Sequence, residues 1–138
     1  MSRYDELLTR LYAAWNEGGP AAMRRDFWHP DIVWHDDVSA PDAADHYGAA
    51  ATERYMGGVI EAIGSMRVVV HSVHDTADGA LVELSLHAEG QASGAATDLR
   101  TFHLLKIEDD LVTDCRVFFD PAQAFTAAGV EPRSGRTA

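Results

Sequence analysis

Phe27-Trp28-His29-Pro30-Asp31-Ile32-Val33-Trp34-His35-Asp36-Asp37 sets two imidazoles and three carboxylates around an aromatic, β-branched run. Ile32, Trp34 and Asp36 alternate, which predicts a strand over Asp31 to Asp37 that carries reactive groups as well as core. Upstream, Leu7, Leu8, Leu11, Tyr12 and Trp15 recur at helical spacing, so residues 3 to 17 read as a helix. Asn16-Glu17-Gly18-Gly19-Pro20 supplies its stop signals, and Ala21 to Phe27 read as a second short helix.

Downstream, Val38 to Gly48 holds turn formers without a period and reads as a loop over an edge or mouth. A third helix follows, with Tyr55, Met56, Val59, Ile60 and Ile63 on one stripe. Gly57 and Gly58 weaken its middle by roughly 1 kcal/mol each and invite the close approach of a strand or ligand. From Met66 the period becomes two. Arg67 to His74, Ala80 to Ala88, Thr97 to Ile107 and Leu111 to Phe119 read as antiparallel hairpins, turned at Asp78-Gly79 and Glu108-Asp109-Asp110. Gly90, Ser93 and Gly94 mark a wider loop or bulge, and Ala122 to Ala128 a short helix. Helices followed by a meander of strands predict an α+β chain: one domain over residues 1–129 and a mobile tail over 130–138.

A chain of 138 residues can bury a core without metal or disulfide. The lone Cys115 reads as a small buried hydrophobe and calls for no oxidising compartment. Acidic residues stand at the N-terminus where a signal peptide needs an apolar run, and no stretch has membrane-spanning length. The expectation is a cytoplasmic protein. The net charge of −11, with its acids scattered, argues against nucleic acid and anionic membranes.

Tyr12-Ala13-Ala14-Trp15-Asn16-Glu17-Gly18, the Phe27-to-Asp37 segment, Gly48 before the third helix and the closing Arg116-Val117-Phe118-Phe119-Asp120 occur in a telling order. That order resembles the nuclear-transport-factor-2-like superfamily, particularly its SnoaL-like polyketide-cyclase and ketosteroid-isomerase-like branch. The resemblance implies a curved antiparallel sheet wrapped around a long N-terminal helix as a cone, with two further helices. It carries the proton-abstracting carboxylate of the steroid isomerases onto Asp36, where the apolar wall of Trp34 would favour general-base strength. The oxyanion-hole tyrosine of those enzymes falls on Leu11, one residue before Tyr12, and its acid near His103. Leucine donates nothing, but His103 shares a strand face with Leu99, Thr101 and Leu105 and can serve as donor or acid. The limonene-epoxide-hydrolase pattern is broken: Val117, not an aspartate, follows Arg116, and Arg100-Thr101-Phe102 replaces its Arg-x-Asp pair.

The expected catalytic set is therefore Asp36 as base, with His103 or His35 to stabilise the oxygen or return the proton. Trp15, Trp34, Tyr55, Val59, Leu99, Thr101, Val117 and Phe119 are expected to bind a small hydrophobic, carbonyl-bearing molecule without a cofactor. Seven histidines raise the question of metal. His71 and His74 face opposite sides of a regular strand, and His35 with Asp37 lacks a third ligand, so no metal site is assigned. The residues fit both an acid–base enzyme and a non-catalytic ligand-binding or dimerisation module, including a subunit that only assembles with a partner. Glu83, Ser85, His87, Glu89, Asp114, Arg116 and Phe118 would form the other sheet face, where the resemblance implies a homodimer.

Overall fold

The structure is a computed structural model that describes residues 2–89 and 96–132. The loop expected at Gly90, Ser93 and Gly94, and the tail beyond residue 132, lie outside the described residues. α1 (Asp5–Asp26) bends at Gly19, whose φ of 64° and ψ of −155° no helix contains. Pro20 restarts the helix there, so the two expected helices are two segments of one bent element. The first buries Leu7, Leu8, Leu11 and Tyr12 against the sheet. β1 (Trp28–His35) starts earlier than expected and ends before Asp36. Its pairing is irregular between Trp28 and Val33, where Pro30 has no N–H to give.

β2 (Asp45–Tyr47) lies in the stretch read as loop, and pairs antiparallel with β1, Trp34 opposite His46. Three polar or aromatic residues carry no visible period, so only the partner strand reveals it. α2 (Ala49–Ile63) leads to β3 (Ser65–Asp75), β4 (Gly79–Glu89), β5 (Ala96–Glu108) and β6 (Leu111–Phe118), and α3 (Pro121–Ala128) closes the chain. A Cβ at Gly57 or Gly58 would meet nothing within 4 Å, so among the described residues no strand makes the close approach expected there.

The six strands run β2-β1-β6-β5-β4-β3 in one open sheet. β1 and β6 are parallel, which corrects the wholly antiparallel expectation: the sheet is mixed, and the architecture is the α+β cone. At the far edge the Asn16 amide receives the Val68 N–H (2.8 Å) and donates to the Val68 carbonyl (3.0 Å), completing an edge that lacks a neighbouring strand.

The two faces of the sheet differ. The inner face packs Val68, Val82, Leu84, Leu105 and Cys115 against α1 and α2. On part of the outer face, α3 covers Leu81 and Phe102, with Leu104, Phe118 and Phe125 around them. Phe118, expected on an open pairing face, is thus packed beside a helix. The rest of the outer face is polar: Arg100 pairs with Glu83, and His87 with Asp98. A register shift between Val70 and Ser72 supplies the bulge that a regular strand lacks. His71 consequently bonds Ser85 (2.7 Å) while His74 meets Ser72 (3.2 Å) and Phe125, both on this outer face. Among the described residues no three His, Cys, Asp or Glu side chains gather as a metal set, and no helix is long and apolar enough to cross a membrane.

Candidate active site

Between the inner sheet face, α1 and α2 lies a cavity of about 560 Å³. Leu11 and Tyr12, with Trp15 one turn further on, come from one stripe of α1, and Tyr55, Met56, Val59 and Ile63 from α2. Trp34 and, just past the end of β1, Asp36 enter from the sheet. Leu99, Thr101 and His103 alternate along β5 into the same space, with Val117 and Phe119 from the end of β6. Asp36, His103 and all eight residues expected to contact a ligand therefore line one cavity. His35 does not. It points to the outer face, where Nδ1 meets Asp45 (2.8 Å) and Nε2 meets Asp114 (2.9 Å), so its carboxylates join β2, β1 and β6.

The wall is apolar but for a few groups, and their partners sort them. Thr101 spends its hydroxyl on the Phe118 carbonyl (3.1 Å). Asp37 is buried and accepts from the Phe119 N–H (2.7 Å), the Ser39 N–H (2.8 Å) and the Ser39 hydroxyl. Burial pushes its carboxyl up, yet the Ser39 hydroxyl and the two N–H groups outweigh that and hold it below the usual range. Asp37 is thus a strut between the 38–44 loop and the end of β6, and shares no ligand geometry with His35. The indole N–H of Trp15 is buried with no partner among the described residues.

Two polar sets remain. In the first, the Tyr12 hydroxyl meets His103 Nδ1 at 3.0 Å, both residues buried, with Trp34 T-shaped against the imidazole. Burial, with Cys115 adding to it, lifts the Tyr12 phenol well above its ordinary value. Burial also lowers His103 to about 4, so near neutrality it is an uncharged imidazole. A neutral phenol needs an acceptor for its proton, and Nδ1 is its partner, which assigns the remaining ring proton to Nε2. His103 therefore offers an N–H donor, with Tyr12 behind it.

The second set surrounds Asp36. Its Oδ2 accepts from the Ala44 N–H (3.2 Å) and lies 3.2 Å from His46 Nε2. Burial first, then a hydrogen bond to Asp36 and the charge of that carboxylate, push the Tyr55 phenol up to about 12. The His46 ring stacks on Tyr55 with centroids 3.8 Å apart and planes at 19°. Tyr12 and His46 were the residues sequence reasoning missed. Tyr12 sits in the α1 stripe one position past the residue the resemblance selected, and His46 reaches Asp36 only because β2 pairs with β1.

An acceptor at Asp36 and a neutral donor at His103, on one apolar cavity, can move a proton beside a carbonyl and hold the oxygen that gains charge. Solved structures share the architecture. A hypothetical protein with a ketosteroid isomerase-like fold from Catenulispora acidiphila, in complex with trimethylamine, has a TM-score of 0.71 at 16% identity, over 91% of this chain and 94% of that one. A candidate SnoaL-like polyketide cyclase from a Jannaschia species gives 0.69 at 20% identity, over 93% and 92%. AclR, a candidate hydroxylase from Streptomyces galilaeus, gives 0.68 at 19%, over 96% and 89%. No curated protein matches the sequence. These likenesses establish the fold, and the sequence pattern of one family spans residues 8–115, from the start of the α1 stripe to Cys115 in β6: the chain belongs to the SnoaL-like domain family.

Proposed function

We propose that the chain is an acid–base enzyme of cyclase or isomerase type acting on a small, hydrophobic, uncharged molecule that bears a carbonyl. The observation that carries this reading is the sharing of one largely apolar cavity by Asp36 and the neutral His103. Asp36 takes a proton from the carbon next to the carbonyl, and the developing enolate oxygen accepts from His103 Nε2–H. In an isomerisation Asp36 returns that proton to another carbon. In a cyclisation the enolate carbon attacks a second carbonyl, and the proton goes to the alkoxide formed. Either way the proton count closes without a redox step. Lys and Arg are missing from the described lining and His103 is neutral, so a carboxylate or phosphate on the substrate would enter without a counter-charge. The names of structural relatives, among them a candidate polyketide cyclase, agree with a carbonyl substrate.

The test is a thermal-shift screen of uncharged ketones, esters and polyketide-like molecules, followed by turnover assays on the binders. A ligand at a hundred times its Kd stabilises by roughly 2.7 kcal/mol, which such a screen resolves. Asp36→Asn keeps the shape and removes the base, so turnover should fall by about 10²–10⁴-fold with affinity nearly intact. Unchanged turnover would remove Asp36 from the mechanism. Binders that are never turned over would make the cone a non-catalytic ligand-binding module.

A further inference from the structure

We infer that His46 is a positioning residue for Asp36, holding one carboxylate oxygen so that the other is presented to substrate; this rests on the reading of Asp36 as the base. His46 is not part of the cavity wall. It sits on the edge strand β2 directly across from Trp34, and paired strand positions send their side chains to the same face. Its imidazole thereby stands on the face of Trp34 and meets Asp36 just past the end of β1. Both resolved donors to this carboxylate, the Ala44 N–H and His46 Nε2, fall on Oδ2. Oδ1 is the oxygen they leave for other partners and for a substrate proton.

The surroundings give the imidazole one orientation. Tyr55 stacks on its face, and the Asp36 carboxylate adds to the burial that raises the Tyr55 phenol, so carboxylate, imidazole and phenol form one cluster. Asp36 is the most enclosed of the pair, its side chain 9% exposed against 17% for His46. A carboxylate with a free torsion in such a place would sample rotamers in which neither oxygen faces the substrate, and a geometric error of this kind lowers turnover without weakening binding. The Asp36 backbone N–H also bonds the Ala44 carbonyl (3.2 Å), so the residue that bears the base is tied to the loop at both its main chain and its side chain.

Two variants separate a donor from a filler. His46→Phe keeps a ring against Tyr55 and deletes the donor; His46→Gln keeps an N–H that can reach Oδ2. With a substrate from the screen, His46→Phe should lower kcat by about ten- to a hundredfold, the scale of one hydrogen bond to a charged group, at nearly constant KM. His46→Gln should recover most of it. Adding His46→Phe to Asp36→Asn should cost little more than Asp36→Asn alone, because residues that act through one another are not additive. Independent, multiplying losses, or a His46→Phe enzyme at full kcat, would overturn the proposal. The contact can be read without any substrate in the 1H–15N spectrum of the histidines. The wild type should show a slowly exchanging His46 Nε2 proton that is lost in Asp36→Ala, and its absence or its survival in that variant would overturn the proposal whatever the activity. If that proton behaves as expected but Asp36→Asn retains full turnover, the assignment of the base fails and the His46 contact stands.

Discussion

His103 and His35 are separated by one strand, β6, and stand on opposite faces of the same sheet. His103 is buried, carries no charge near neutrality, and has one side-chain partner, the Tyr12 hydroxyl, among the described residues. His35 has a carboxylate on each ring nitrogen, so both of its hydrogen-bonding positions are spent on Asp45 and Asp114. The same side chain is thus an open valence on the inner face and a saturated staple on the outer. Residue type does not separate function from structure here. The count of unspent hydrogen-bonding capacity inside a cavity does, and it sorts Asp37 and Thr101 with the structural groups although they share the cavity wall with Asp36.

Acid titration should break the comparison most visibly. The folded value of about 4 for His103 lies below the unfolded value of 6.5, so the unfolded chain binds the proton first. The contribution is fully present above pH 6.5 and is lost as pH falls towards 4, by roughly 3 kcal/mol in all. Urea unfolding of wild type and His103→Gln across that window should show the wild type losing stability more steeply. Parallel slopes would mean that His103 is hydrated and charged in the folded protein.

His35→Gln should cost on the order of 1 kcal/mol at pH 7, the scale of the one hydrogen bond to the part-buried Asp114, while the exposed Asp45 adds little. Turnover of any substrate found should change little, because His35 has no atom on the cavity. An intact stability with lost turnover would invert the assignment of the two faces.

The smallest effect sharpens the picture of Asp36. Removing its charge by Asp36→Asn should bring the Tyr55 phenol down from about 12, though not to the ordinary 10.0, because burial is the first cause of the shift. Tyrosinate absorbance during alkaline titration, with Tyr55→Phe to identify the signal, measures it. A Tyr55 transition that ignores the substitution would separate the phenol from the carboxylate and remove Tyr55 from the Asp36 cluster.

Helix and strand periodicity alone located α1 with its break at Gly19-Pro20, the stripe of α2 and the four long strands of the second half, because each repeats its pattern over many residues. It also put Asp36, Trp34, Thr101 and His103 on the faces that line the cavity, since alternation along a strand is local geometry. What lacked a local signal was left to the tertiary structure. The parallel pairing of β1 with β6 joins segments about eighty residues apart, and β2 is too short to show a period. The bulge at His71 reverses the parity that placed His71 and His74 on opposite faces. The site shows the same division. Leu11 and Tyr12 are neighbours on one stripe, and only the docking of α1 across the inner sheet face decides that the tyrosine hydroxyl, 91 residues from His103 in sequence, becomes its partner. A strand's parity follows from its own residues, but hydrogen-bond partners are set by which elements touch, and that contact is made by the whole chain.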